Sequence, residues 1–181
     1  MRLSRQSIVN LALLPLFVGT RVFAHEPGAH VHGVAILQVV VDGATVQLNL
    51  DTPLDNLLGF EHAPRTAREK QAVQAMAGKL RHPETLFILP SAAQCTPGAV
   101  ELNAPVVSLG KADRKDMDKD GDHADLEATM TFNCRAPSAL KELEVRLFDA
   151  FPGVRQLQVQ VAGPRGQAAV KLSAAQRRLS L

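Results

Sequence analysis

The chain of 181 residues contains no tryptophan, no tyrosine and only seven phenylalanines. Proteins that bind single-stranded nucleic acids depend on aromatic side chains as stacking surfaces and on a basic groove that follows the phosphates. The scarcity of aromatic residues therefore removes one of the two features that such a protein needs. The charge of the chain, considered below, removes the other.

The chain also lacks an apolar run long enough to span a bilayer, which takes about 20 residues. Its longest run, Ile8–Gly19, is preceded by Arg2 and Arg5 and followed by a small-residue cleavage signal that ends at Ala24. This arrangement is typical of a secretory signal peptide. We therefore expect residues 1–24 to be cleaved after Ala24, the protein to be periplasmic, and no stable membrane insertion.

Removing the signal peptide changes the charge balance. Three of the 20 basic residues lie in the first 24 positions, so 17 basic residues remain against 18 acidic ones. The remaining segment, 25–181, has no basic excess with which to attract a phosphate backbone, and we expect no nucleic-acid partner. Its length of about 157 residues suits a single domain with a core of its own.

Cysteine is rare, with only Cys95 and Cys134 present. Two cysteines in an exported chain predict one disulfide, because the oxidising compartment favours the bridge. A site that binds metal through thiolates is the alternative.

Strand patterns dominate the sequence. The apolar run that follows His32 and the alternating run at 46–50 are separated by Asp42-Gly43, which predicts a hairpin. Later short or alternating runs predict further strands at 86–89, 106–109, 126–132, 143–147, 157–161 and 168–172. Together these runs predict an antiparallel meander.

One well-defined helix is predicted over about 66–82. Thr66 and Glu69 have the spacing of a capping box, apolar residues follow at helical spacing, and Pro83 ends the pattern. The fold class is therefore α+β, mainly antiparallel sheet with one helix and one disulfide.

The most polar stretch is an acidic loop at 111–125. Within 116–127 lie six acidic residues and one histidine, namely Asp116, Asp118, Asp120, Asp122, His123, Asp125 and Glu127. In residue types and spacing, 116–127 fits the calcium-binding loop of an EF-hand. Its context does not fit, because a strand pattern rather than a helix follows it. A solvated acidic loop and a loop that holds a transition metal for a short time are the alternatives.

Histidines supply a second candidate metal-binding region. His30 and His32 are separated by one residue, so in an extended chain both rings project to the same side. His123 and Asp125 have the same spacing, and if the two segments lie on neighbouring strands their side chains suit tetrahedral Zn²⁺. His25 could add a ligand from the chain start. His62 either joins Glu61 as a ligand pair or orients the chain into the helix.

Several of these strings resemble the zinc-regulated periplasmic protein family, ZrgA. They are His30-Val-His32-Gly33, the string Pro53-Leu-Asp-Asn56-Leu-Leu-Gly-Phe-Glu-His62, and His123-Ala-Asp125 followed by Phe132-Asn-Cys134. The resemblance implies an exported zinc-binding protein that assists uptake through an ABC-type importer. By this resemblance, the candidate ligands are His30, His32, His62, His123 and Asp125. The chain departs from the family where a long His/Asp/Glu-rich stretch is usual, because the corresponding stretch here is lysine–aspartate with only His123.

The functional expectation is a protein that binds zinc and buffers it or assists its uptake. Its partners would be metal ions and a zinc ABC importer or the binding protein of that importer. The alternative is a structural or interaction module stabilised by Ca²⁺ in the 116–127 loop. The chain contains neither an H-E-x-x-H nor a G-x-S-x-G motif, and we expect no enzymatic activity.

Overall fold

The computed structural model describes residues 31–110 and 124–181. The strands in these ranges are β1 (Val34–Asp42), β2 (Thr45–Pro53), β3 (Phe87–Ile88), β4 (Cys95–Asn103), β5 (Asp125–Cys134), β6 (Glu142–Val145), β7 (Gln156–Gly163), β8 (Gly166–Ser173) and β9 (Arg178–Ser180). The α-helices are α1 (Asp55–Leu58), α2 (Ala67–Leu80), α3 (Pro83–Leu86) and α4 (Leu147–Ala150). Short 3-10 turns occupy Ser91–Ala93, Pro105–Val107 and Pro137–Ala139.

Two sheets form the described part of the fold. A six-stranded sheet has the order β4-β5-β2-β1-β7-β8, and a three-stranded sheet has the order β3-β6-β9. All neighbouring strands are antiparallel except β1 and β7, which are parallel. The mainly antiparallel α+β class is thus confirmed, as is the hairpin, in which Asp42 lies opposite Thr45.

The predicted meander is wrong. Strand β6 does not lie beside β7 but in the second sheet, between β3 and β9. After β6, helix α4 and the following turn redirect the chain to the start of β1, where the Gln156 N–H donates to the Gly33 carbonyl at 2.9 Å. Periodicity predicts which face of a strand is buried but not which strand lies next to it.

Two further strand predictions need correction. The run at 106–109 is not a strand, because Pro105–Val107 forms a 3-10 turn and Ser108 follows with a φ of 60°. Strand β4 was not predicted, because Pro97 and Gly98 suggest a loop. The proline is tolerated because β4 is an edge strand with a register shift between Pro97 and Val100.

The core lies on one face of the six-stranded sheet. Alternate residues of its strands are buried there, among them Leu37, Val39, Leu48, Leu50, Leu126, Met130, Leu157 and Val159. Helix α2 adds Val73, Met76 and Leu80 to the same cluster. The opposite face carries exposed or half-buried polar residues, including Gln38, Gln47, Asn49, Thr129 and Gln158. No helix in 31–110 or 124–181 is long and apolar enough to cross a membrane.

The disulfide prediction is confirmed. Cys95 and Cys134 are bonded, and they lie directly opposite each other where β4 begins and β5 ends. The bridge attaches the edge strand β4 to the sheet at the end where its proline and its bulge weaken the ladder.

Helix α2 begins with the predicted capping box. The Thr66 hydroxyl accepts a hydrogen bond from the Glu69 N–H at 3.2 Å. The Glu69 carboxylate accepts from the N–H groups of Thr66 at 2.9 Å and Arg65 at 2.6 Å. These two backbone donors, Thr66 first, lower the pKa of Glu69 from its ordinary value of 4.5.

A pH dependence follows from this cap. A carboxyl whose folded pKa is depressed stabilises the fold above its unfolded pKa, and this contribution is lost as the pH falls through the folded value. We expect Glu69→Gln to be less stable than the wild type at neutral pH, and the difference to shrink as the pH falls below 4.5. Urea denaturation of both proteins across this range measures the difference. A difference that stays constant down to the most acidic point would contradict the assignment.

Candidate metal site

Three segments of the chain meet at one end of the six-stranded sheet. Strand β2 ends there at Pro53, while β1 and β5 both begin there on opposite sides of β2. The register places Ile36 opposite Asp51 on one side and Asp125 opposite Pro53 on the other. With one strand between them, the starts of β1 and β5 are about 10 Å apart, or two strand spacings.

The strands that follow His32 and His123 are therefore not neighbours, and the expectation that they pair directly is wrong. The tight Asp42-Gly43 hairpin places β2 beside β1, and β5 pairs with the other edge of β2. A backbone contact joins the start of β5 to the residue before α1, because the Leu54 N–H donates to the Ala124 carbonyl at 2.8 Å. The residue after His123 is thus bonded to the residue before Asp55.

His32 lies between two carboxylates at this end. Its Nε2 is 3.1 Å from Glu61 Oε1, and its Nδ1 is 3.6 Å from Asp55 Oδ2. The imidazole side chain is 58% exposed, and those of Asp55 and Glu61 are 35% and 36% exposed. An imidazole so accessible, with acidic groups on both sides, attracts cations and can exchange them with solvent.

Asn56 fixes the backbone just after His32. Its side chain is 3% exposed and makes three hydrogen bonds. Oδ1 accepts from the Gly33 N–H at 2.5 Å, and Nδ2 donates to the Val34 carbonyl at 2.9 Å and to Thr52 Oγ1 at 3.0 Å. A buried amide satisfied in this way holds β1 against the end of β2 and the start of α1.

Arg155 fixes the same segment from the other side. Its guanidinium donates to the His32 carbonyl at 3.0 Å, and the backbone N–H of Arg155 donates to the Gly33 carbonyl at 2.8 Å. Gly33 has a φ of 88°, and a Cβ there would lie 2.3 Å from Arg155 Nε. The left-handed backbone conformation therefore favours glycine here, and a Cβ would in addition displace the Arg155 guanidinium from the His32 carbonyl.

Glu61 reaches His32 because helix α1 ends abruptly. Gly59 caps the helix in the left-handed conformation, with a φ of 78°, and its N–H donates to the Asp55 carbonyl. The reversal brings the chain back toward the start of β1. Asp55 and Glu61, at opposite ends of this short turn, thereby face the two nitrogens of one imidazole.

Carboxylates also lie beside the start of β5. Glu127 is directly opposite Asp51 on β2, and Asn103 Nδ2 on β4 donates to Glu127 Oε2 at 3.3 Å. Asp125 and Glu127 are on the same, outer face of the sheet. Glu127 is position 12 of the EF-hand pattern. It lies in β5, which begins at Asp125, and not at the start of a helix as in an EF-hand.

His62 is directed toward helix α2 rather than toward His32. Its Nδ1 is 3.0 Å from the Ala63 carbonyl, and its ring stacks on Phe60 with 5.1 Å between centroids. Its charge also contributes to lowering the pKa of Glu69 at the start of α2. These contacts favour a role in orienting the chain into the helix, and Glu61 pairs with His32 instead.

Four of the predicted ligands, His32, His62, Asp125 and Glu127, belong to the described residues. The others lie outside them: His25, His30, Asp116, Asp118, Asp120, Asp122 and His123. Within 31–110 and 124–181, no group of three or more histidine, cysteine, aspartate or glutamate side chains is arranged to hold a metal ion. Asp55 and Glu61 face different nitrogens of His32, so the three groups do not converge on one point. His32 and Glu61 together do offer a nitrogen and an oxygen, donor types that zinc takes in proteins.

The sequence patterns do not reveal that Asp55 and Glu61 are partners of His32. Adjacency in the chain pairs Glu61 with His62, and no local pattern links Asp55 to His32. The signal that could have found them is chemical, since a histidine that binds metal usually donates its second ring nitrogen to a carboxylate.

Comparison with known proteins gives one family. The model of the ZrgA family zinc uptake protein matches residues 29–181. No curated protein matches the chain.

Proposed function

Because the chain belongs to the ZrgA family of zinc uptake proteins, we propose that it is a periplasmic protein that binds Zn²⁺ and buffers it or passes it to a zinc importer. The proposed ligands are His30, His32, His123 and Asp125, with His25 and His62 as further candidates. Zinc is the cargo of such a protein, and no reaction is carried out on it. The proposed partner is an ABC-type zinc importer or its binding protein, reached after cleavage of the signal peptide at Ala24.

The observation that carries this proposal is the arrangement around His32. Contacts from Asn56 and Arg155 fix its backbone, yet its imidazole is mostly exposed and lies beside two carboxylates. Strand β5, which directly follows His123, begins at the same end of the sheet. A fixed, accessible imidazole suits the capture of an ion that must later be released.

Calorimetry on the chain without residues 1–24 and without an affinity tag tests the proposal. At neutral pH we expect Zn²⁺ to bind, and the heat to be lost in the double variant His30→Ala/His32→Ala. We expect His82→Ala to bind like the wild type, because His82 is an exposed histidine beside its own carboxylate, Glu84, at 3.2 Å. Imidazoles bind metal only when unprotonated, so zinc affinity should fall as the pH drops below about 6.

The same titration with Ca²⁺ separates the proposal from the calcium-stabilised module. A calcium loop depends on carboxylates, which stay ionised down to about pH 4. Calcium binding that persists at pH 5, is lost in Asp118→Asn/Asp120→Asn and is unaffected by the histidine changes would replace the zinc proposal. The absence of any heat with zinc at neutral pH would also reject it.

A further inference from the structure

From the geometry around His32 we infer two residues of the zinc site, an inference that rests on the proposed function. Glu61 is a zinc ligand that shares the ion with His32 Nε2. Asp55, whose Oδ2 lies 3.6 Å from Nδ1, is a positioning residue that accepts the Nδ1–H when zinc occupies Nε2. The sequence indicates Glu61 only as a partner of His62, and it does not indicate Asp55.

The distance between the two donor atoms is close to that between two ligands of one zinc ion. His32 Nε2 and Glu61 Oε1 are 3.1 Å apart. Two ligands of one tetrahedral zinc ion, each about 2.1 Å from the metal, are separated by about 3.4 Å. The two donor atoms are thus close to the separation that a shared ion requires, and zinc binding displaces the proton between them while both side chains turn toward the metal.

The two carboxylates differ in how rigidly they are held, and this difference indicates which one binds the metal. A histidine ligand binds through one nitrogen and donates the N–H of the other to a carboxylate or a carbonyl, which fixes the tautomer and the orientation of the ring. Asp55 lies in the first turn of α1, directly before the buried Asn56, so its backbone is fixed. Glu61 follows the Gly59 reversal and has a longer side chain that can adjust to an ion. The rigid residue suits the orienting role and the adjustable one suits the ligand role.

The backbone that follows the imidazole is fixed. Contacts from Asn56 and Arg155 hold the His32 carbonyl, the Gly33 N–H and the Val34 carbonyl, which limits the region that Nε2 can reach. Glu61 supplies an oxygen in that region. Two protein ligands leave two of the four positions of a tetrahedral ion for further donors or water, which suits zinc that is handed on.

The test compares three conservative variants in competition titrations with Zn²⁺ and a zinc-binding dye at neutral pH. We expect Glu61→Gln to weaken zinc binding the most and Asp55→Asn to weaken it by about 10- to 100-fold. Glu84→Gln, which changes the carboxylate beside the exposed His82, should bind like the wild type. Thermal unfolding without metal checks that each variant folds.

Nitrogen NMR of the histidine rings separates positioning from a general structural effect. In the wild type we expect zinc on Nε2 and the proton on Nδ1 of His32. In the metal-free protein Nε2–H donates to Glu61, so Glu61→Gln should change the tautomer fractions there more than Asp55→Asn does. In the zinc-bound protein Asp55→Asn should shift the Nδ1 resonance of His32, because it changes the group that faces Nδ1.

Three results would overturn the inference. If the wild type binds zinc through His30 and His32 while Glu61→Gln binds as tightly, the Glu61 contact is an ion pair only, and the proposed function survives without it. If Asp55→Asn lowers zinc affinity more than Glu61→Gln does, and zinc is found on Nδ1, the two roles are reversed. If the wild type binds no zinc, both the inference and the proposed function fall.

Discussion

Replacing Asn56 with alanine is expected to lower the free energy of unfolding by about 3 kcal/mol, since the change removes three hydrogen bonds of one buried amide. These bonds join it to the Gly33 N–H, the Val34 carbonyl and the Thr52 hydroxyl. Each unpaired group costs about 1–3 kcal/mol, and water entering the gap reduces the total. Urea denaturation at neutral pH measures the effect.

Asn103→Ala is the matched control for that experiment. Asn103 is exposed on β4, and its side chain makes a single long hydrogen bond, 3.3 Å, to Glu127. Its loss should change stability by no more than about 0.5 kcal/mol. If the two alanine variants differed by less than about 1 kcal/mol, Asn56 would not be the residue that holds the start of β1.

The second large effect is expected at the disulfide. Cys95 and Cys134 are separated by 39 positions, and a bridge over a loop of this length stabilises the fold by about 4 kcal/mol in the chain-entropy model. The double variant Cys95→Ala/Cys134→Ala should lose about that amount in urea denaturation under oxidising conditions.

The wild type itself supplies the comparison for this experiment. With a reductant present, its stability should fall to nearly that of the double variant, whereas the variant should not respond to the reductant. A loss below about 1 kcal/mol would show that the ladder between β4 and β5 holds the edge strand without the bridge.

Local sequence signals predicted the elements that short-range interactions determine. The Asp42-Gly43 turn gave the β1–β2 hairpin, and Thr66 with Glu69 gave the start of α2. Partners that are distant in the chain could not be predicted in this way. Alternation in β7 showed its buried face, but its parallel pairing with β1 depends on where α4 redirects the chain.

The site shows the same division. The H-x-H string predicts an extended chain, whereas His32 and Gly33 lie in a turn, with Gly33 at a φ of 88°. The pairing of His32 with Glu61 joins residues 29 positions apart. It depends on the length of β1 and β2, the reversal at Gly59 and the hydrogen bonds of Asn56, none of which is a local pattern.

The parallel pairing of β1 with β7 sets the order in which the protein can assemble. Strand β1 is held on one side by its hairpin partner and on the other by a strand that is made late in synthesis, with Val34 opposite Gln156. Arg155, which fixes the carbonyl of His32, arrives at the same late stage. A chain whose residues after Arg155 have not yet reached the sheet therefore contains His32 but not the complete frame around it, so that end of the molecule is among the last to form.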